Sequence, residues 1–116
     1  AIIDAAMNDL MRPSLYNAHH NITNISKSNQ KKDTYDVVGP VCETGDFLGK
    51  DRELSIDTGN ILLIHDVGAY GMSMSSNYNS RMRANELLID GKNVFEIRKR
   101  EEFDDLIRNE SLPQPQ

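Results

Sequence analysis

Apolar and polar residues alternate along much of the chain in the pattern of short β-strands. We expect strands within 2–3, 17–26, 34–38 and 61–67 and, as a pair, within 85–100. The run at 61–67 is the most apolar of the chain, which predicts a buried central strand that breaks at Gly68. Residues 46–60 are rich in turn formers and residues 72–83 are polar, so both segments are predicted to be loops.

Three local features predict how these strands are bounded. Pro13 suits the first turn of a short helix or an extended corner. The pair Asp90-Gly91 is a favoured two-residue hairpin turn between two apolar strands. Phe103, Leu106 and Ile107 have the i, i+3, i+4 spacing of a short amphipathic helix whose start is acidic.

Together these elements predict a mainly β fold with a short C-terminal helix. Short strands with long, irregular connections are typical of an antiparallel, Greek-key-like β-barrel. We expect one domain over residues 1–108 and a disordered Pro- and Gln-rich tail over 109–116. The chain opens on "AIID", which resembles the second half of a strand, so a fragment that starts in mid-strand is expected.

Composition excludes several classes of function. The net charge is −5 over 116 residues, whereas a nucleic-acid-binding domain needs a basic face. No apolar run approaches the ~20 residues of a membrane helix. The single cysteine cannot form an internal disulfide, so a reducing, cytoplasmic setting is expected. His19 and His20 are adjacent and would point to opposite faces of a strand, so no metal site is expected.

Candidate chemistry lies in four places, each of which also has a purely structural interpretation. Arg12 with Tyr16 could be a surface cation beside a packed ring, and Cys42, next to Glu43, could be a small buried apolar residue. Tyr70 could fill the end of a barrel. The loop "SSNYNSR" at 75–81 could be an ordinary polar connection.

Three sequence blocks together resemble a known family. They are "DAAMNDLMRPSLY" (4–16), "GPVCETGD" (39–46) and "GAYGMSMSSNYNSR" (68–81). In order and spacing they resemble the C-terminal domain of the diaminopimelate decarboxylases, which are related to ornithine decarboxylase and alanine racemase. The resemblance extends to about Phe103. It implies a pyridoxal 5'-phosphate enzyme with an N-terminal (β/α)8 barrel, which carries the cofactor lysine, and a C-terminal β-barrel domain. The first of these domains is absent from this chain.

The resemblance also implies roles for five residues. Arg12 and Tyr16 would bind the distal carboxylate of meso-diaminopimelate, and Glu43 would bind its distal ammonium group. Tyr70 would contact both cofactor and substrate. Cys42 would return a proton to carbon after CO2 leaves, acting in the active site of the opposite subunit of a homodimer. The "SSNYNSR" loop would support Tyr70 and the dimer contact, and alone the chain would be inactive.

Two alternatives stay open at this point. A sister decarboxylase acting on ornithine, arginine or lysine would have no distal carboxylate for Arg12 to bind, and such enzymes tend to carry aspartate in the place of Glu43. A non-catalytic regulatory homologue would have no reason to keep Cys42, Glu43 and Tyr70 together. The chain departs from the family pattern at Met82, where proline is common, so the local backbone there is expected to differ.

Overall fold

The structure is a computed structural model, and it describes residues 1–115. Gln116, the last residue of the predicted tail, lies outside the described residues. The chain divides into two compact units, Ala1–Ser75 and Ser76–Gln116. The boundary expected at residue 108 stays a prediction.

The first unit consists of short helices and antiparallel strand pairs. Its elements are α1 (Arg12–Tyr16), β1 (Ile22–Asn24), β2 (Asp33–Val38), β3 (Phe47–Leu54), β4 (Leu62–Ile64) and α2 (Gly68–Ser73). Strand β1 pairs with β4, and β2 pairs with β3. A single parallel bridge joins Ile2 to Val38.

The core of this unit lies between its strands and the segment that precedes α1. Its buried members are Leu10, Ile22, Val37, Leu48 and Leu54. Leu48 and Val37 are fully enclosed, because β2 and β3 turn these side chains to the same interior. Of the two alternatives left open at Pro13, a helical turn or an extended corner, the structure shows the helical turn as α1, in which the buried proline occupies the first turn.

Three expectations for this unit were wrong. The segment 46–60 was predicted to be a loop but contains β3, the longest strand of the unit. Gly49 allows this strand to approach β1, since a Cβ there would lie 2.9 Å from Ile22 Cδ1. The run at 61–67 is not a buried central strand: β4 pairs only with β1, and Leu63 is 44% exposed. The segment 72–83 was predicted to be a loop, but its first two residues belong to helix α2.

The second unit contains the predicted hairpin and helix. Its elements are a 3₁₀ turn (Tyr78–Ser80), β5 (Glu86–Asp90), β6 (Asn93–Arg98) and α3 (Phe103–Ile107). The register Asp90↔Asn93 places Gly91 and Lys92 at the centre of the turn, one residue later than predicted. Gly91 has a φ of 59°, which glycine adopts without steric cost. A capping box between Glu102 and Asp105 starts α3.

The prediction of a mainly β, antiparallel fold with a short C-terminal helix is confirmed. The strands pair as three two-stranded sheets in the described part of the chain. Among residues 1–115, every helix is too short to cross a membrane.

Candidate functional site

Arg12, Tyr16 and Tyr70 meet in the first unit, although Tyr70 is 58 residues from Arg12 in sequence. The guanidinium carbon of Arg12 lies 5.8 Å from the ring centroid of Tyr16 and 5.1 Å from that of Tyr70. Both distances fall within the range of cation–π attraction. No carboxylate of the described residues forms an ion pair with Arg12. Its charge is therefore held by two aromatic rings and remains able to bind an anion.

Local structure accounts for the position of each member of this cluster. Arg12 and Tyr16 are four residues apart on α1, so they share one face of the helix. The helix ends at Tyr16, and the capping residue that follows, Asn17, has a left-handed φ of 51°. Tyr70 lies on α2, which follows β4 after the left-handed residue Asp66. Both tyrosine rings are more than half exposed, so the face of the cluster is open.

Cys42 and Glu43 lie on a tight loop between β2 and β3, and both side chains are exposed. The Glu43 amide donates to the Val41 carbonyl at 2.8 Å, and the Asp46 amide donates to the Glu43 carbonyl at 3.0 Å. The Gly39 amide donates to the Asp46 carbonyl at 3.2 Å. These bonds close the loop on itself and turn the thiol and the Glu43 carboxylate outward.

Asp46 is the site residue for which sequence reasoning gave no role. It is 4% exposed, yet its carboxylate accepts two backbone hydrogen bonds of 2.7 Å, from the amides of Met7 and Val41. A Cβ on Gly39 would lie 2.5 Å from both of its oxygens, so only glycine fits there. The one indication of this role in the sequence was that Asp46 directly precedes the apolar pair Phe47-Leu48. A carboxylate beside a buried strand needs hydrogen-bond donors close to it.

The loop of Cys42 packs against the segment that carries Arg12. A Cβ on Gly45 would lie 2.7 Å from Ser14 Oγ, which belongs to α1. Asp46 adds the bond to Met7, five residues before Arg12. The structure thus brings the two predicted groups, one arginine with two tyrosines and one cysteine with a glutamate, onto neighbouring segments of the same unit.

Glu101 is hydrogen-bonded to Asn77 of the "SSNYNSR" loop, which was predicted to support Tyr70, and to Arg83 just after that loop. Glu101 Oε2 accepts from Asn77 Nδ2 at 2.6 Å and from the Arg83 amide at 2.8 Å, and Oε1 accepts from Arg83 Nη1 at 2.9 Å. The bond from the Arg83 amide is the main cause that lowers the pKa of Glu101 to about 2. Asn79 and Ser80 are both left-handed in this loop, with φ of 60° and 57°. A support for Tyr70 stays a prediction.

The two adjacent histidines have different structural roles. His20 is buried, and its Nδ1 lies 3.0 Å from the His65 carbonyl, to which it donates. His19 is exposed and lies 2.7 Å from Arg52 Nη1 through its Nδ1. Among residues 1–115, no group of three or more His, Cys, Asp or Glu side chains is arranged so that it could hold a metal ion.

Comparison with known proteins identifies the family of this chain. A family model described as the C-terminal sheet domain of pyridoxal-dependent decarboxylases matches residues 1–68. The diaminopimelate decarboxylase of Pseudomonas fluorescens is 53% identical over 97% of this chain, which corresponds to 27% of that protein. The chain thus spans about a quarter of the length of the curated relatives it matches.

Solved structures agree with the sequence comparison. The diaminopimelate decarboxylase of Methanocaldococcus jannaschii in complex with L-lysine has a TM-score of 0.91 and 47% identity, covering 97% of this chain and 26% of that one. The enzyme of Helicobacter pylori with L-lysine has a TM-score of 0.87 and 48% identity, covering 94% of this chain and 27% of that one. This chain therefore belongs to the pyridoxal-dependent decarboxylases, and its residues 1–68 match their C-terminal sheet domain.

Proposed function

We propose that this chain is the substrate-recognition and dimerisation domain of a diaminopimelate decarboxylase, which converts meso-2,6-diaminopimelate to L-lysine and CO2. One observation carries the proposal: the Arg12 guanidinium lies over two tyrosine rings and has no carboxylate partner among the described residues. Diaminopimelate has a second amino-acid end, whose carboxylate suits a planar guanidinium that can donate two parallel hydrogen bonds. Ornithine and lysine have no such group.

The other residues of the site complete the recognition of that second end. The Tyr16 hydroxyl can donate to the same carboxylate as Arg12. The carboxylate of Glu43 is exposed and negatively charged, which suits the distal ammonium group. Because a substrate with one carboxylate would leave Arg12 without a partner, these groups together favour diaminopimelate over a diamino acid.

The residues of this chain fit a partial contact with pyridoxal phosphate but not the covalent link to it. Every lysine of the chain is exposed, whereas a lysine that links the cofactor needs an enclosed site. The exposed ring and hydroxyl of Tyr70 fit a partial contact with cofactor and substrate. The cofactor, when bound, delocalises the electron pair that remains on carbon after CO2 leaves. We infer that its lysine belongs to an N-terminal barrel domain outside this chain.

Cys42 is suited to return the proton to that carbon. The S–H group of a thiol carries a proton that it can transfer as a general acid. The thiol is exposed on the outside of its loop. Such exposure supports delivery of Cys42 and Glu43 into the active site of the opposite subunit of a homodimer.

Release of CO2 by the full-length protein with pyridoxal phosphate tests the proposal. The protein is offered meso-diaminopimelate, ornithine, arginine and lysine in parallel. We expect turnover of diaminopimelate alone, and an Arg12→Met variant should lose at least about 10²-fold in kcat/KM, since each of the two charge-assisted hydrogen bonds contributes about 1.5–3 kcal/mol. An Arg108→Met variant, which removes an exposed cation after α3, is the matched control and should keep full activity.

Two results would contradict the proposal. Turnover of ornithine, arginine or lysine that does not depend on Arg12 would identify a sister decarboxylase. A protein that binds pyridoxal phosphate but releases CO2 from none of the four substrates would instead be a regulatory homologue.

A further inference from the structure

We propose that Asp46 is a positioning residue that fixes the Cys42–Glu43 loop on the segment leading to Arg12. The inference rests on the proposed function, because it assigns Asp46 the task of holding the proton donor and the ammonium-binding carboxylate in register with the arginine. Asp46 itself is buried and does not reach the surface that a substrate would contact.

The geometry points to Asp46 as the junction of two segments. Its Oδ1 accepts from the Met7 amide and its Oδ2 from the Val41 amide, both at 2.7 Å. Bonds of this length are typical of a charged acceptor and are stronger than those between neutral groups. Met7 and Val41 are 34 residues apart in sequence, so one carboxylate joins two distant parts of the chain.

The backbone of Asp46 holds the same loop from within. Its amide donates to the Glu43 carbonyl and its carbonyl accepts from the Gly39 amide. Residues on both sides of Cys42 are therefore bonded to Asp46. Because the side chains of Cys42 and Glu43 are exposed, the backbone of this loop determines where they lie.

Only a carboxylate satisfies this arrangement. Each oxygen faces one backbone N–H, and both N–H groups come from segments packed around a buried side chain. Asparagine keeps the volume but must turn its amide nitrogen toward one of the two donors, which leaves that donor without an acceptor. Glutamate keeps two acceptor oxygens and the charge but is one methylene longer.

The test uses the full-length protein and compares Asp46→Asn with Asn24→Ala. Asn24 also joins distant segments, since its Nδ2 donates to the Ser55 carbonyl at 2.8 Å and to Asn60 Oδ1 at 2.7 Å, but it belongs to β1 and not to the Cys42 loop. Two quantities are measured: amide hydrogen exchange of peptides covering 4–10 and 39–47, and kcat and KM for meso-diaminopimelate.

We expect exchange in both peptides to rise together in Asp46→Asn and to stay unchanged in Asn24→Ala. The kcat of Asp46→Asn should fall about 10- to 100-fold, because a displacement of about 1 Å at reacting groups has this effect. Its KM should rise as Glu43 moves. Asp46→Glu should recover part of the kcat, and it replaces the asparagine variant in every comparison if that variant does not fold.

Two outcomes overturn the inference. One is faster exchange across the whole chain with kcat unchanged at temperatures where the variant stays folded, which would make Asp46 a stability residue only. Another is a fall of kcat in Asn24→Ala equal to that in Asp46→Asn. Linked exchange of the two peptides in a protein that does not decarboxylate diaminopimelate would instead refute the proposed function and support Asp46 as the junction.

Discussion

Protonation of Glu101 should release the "SSNYNSR" loop. Glu101 accepts from the Arg83 amide, from Asn77 Nδ2 and from Arg83 Nη1, so three hydrogen bonds depend on its negative charge. These bonds, led by the one from the Arg83 amide, lower its pKa from 4.5 to about 2. Because the pKa is lowered in the folded chain, the stabilisation is complete above about pH 4.5 and is lost as the pH falls through about 2.

The size of the effect follows from the same shift. A difference of one pKa unit corresponds to about 1.4 kcal/mol, so a fall from 4.5 to about 2 sets an upper limit of about 3.4 kcal/mol. The Glu101 side chain is 25% exposed and that of Arg83 is 31% exposed. Solvent screening of such a pair reduces the contribution to about 1–2 kcal/mol. A Glu101→Gln variant should lose this amount at pH 7.

Hydrogen exchange of the peptides that contain Arg83 and Glu101 measures this contribution, because each residue's amide is bonded within the network. After correction for intrinsic rates, protection should fall about 5- to 30-fold in Glu101→Gln at pH 7. The wild-type protein should lose protection between pH 5 and 2, and the variant should not. Glu110→Gln, an exposed carboxylate after α3, is the control. Identical pH profiles in wild type and Glu101→Gln would refute the reasoning.

Two further predictions concern the thiol and the core. Cys42→Ala should lower kcat by about 10²- to 10⁴-fold, because the proton would have to come from water, and near-normal turnover with unchanged product stereochemistry would show that Cys42 is not the donor. Leu48→Ala should lower the free energy of unfolding by about 2–5 kcal/mol in urea denaturation, since this side chain is fully buried, whereas Leu112→Ala, at a residue 87% exposed, should change it by less than about 0.5 kcal/mol.

Local patterns predicted the elements that depend on neighbours in sequence. The hairpin β5–β6 and the helix α3 form where a turn pair and an i, i+3, i+4 pattern lie within a few residues. Strand β3 could not be predicted in this way. It contains Gly49 and the left-handed Asp51, which disfavour a strand locally, and it forms because it pairs with β2. Strand β4 shows the reverse. Its apolar sequence favours a central strand, but it pairs with another strand on one side only.

The candidate site shows the same limit. The resemblance supplied Arg12, Tyr16, Cys42, Glu43 and Tyr70 as a set, and their roles stay predictions. The resemblance gave no role to Asp46. The role of this residue depends on a hydrogen bond from the Met7 amide, which is 39 residues away in sequence. Contacts of this kind depend on how β2 and β3 place their connecting loop, and the pattern of side-chain types does not encode them.

The position of Arg12 over two rings has a consequence for conformational entropy. A free arginine side chain loses about 1.5–2 kcal/mol of rotamer freedom when it is immobilised. Tyr16 and Tyr70 already restrict the guanidinium before any anion binds. Part of this loss of side-chain entropy therefore occurs on folding and not on binding. A lysine at the same position would keep the charge but would remain free to rotate, because its compact ammonium group does not stack on aromatic rings as a guanidinium does. The two tyrosines therefore restrict the arginine before it meets the carboxylate that we propose it binds.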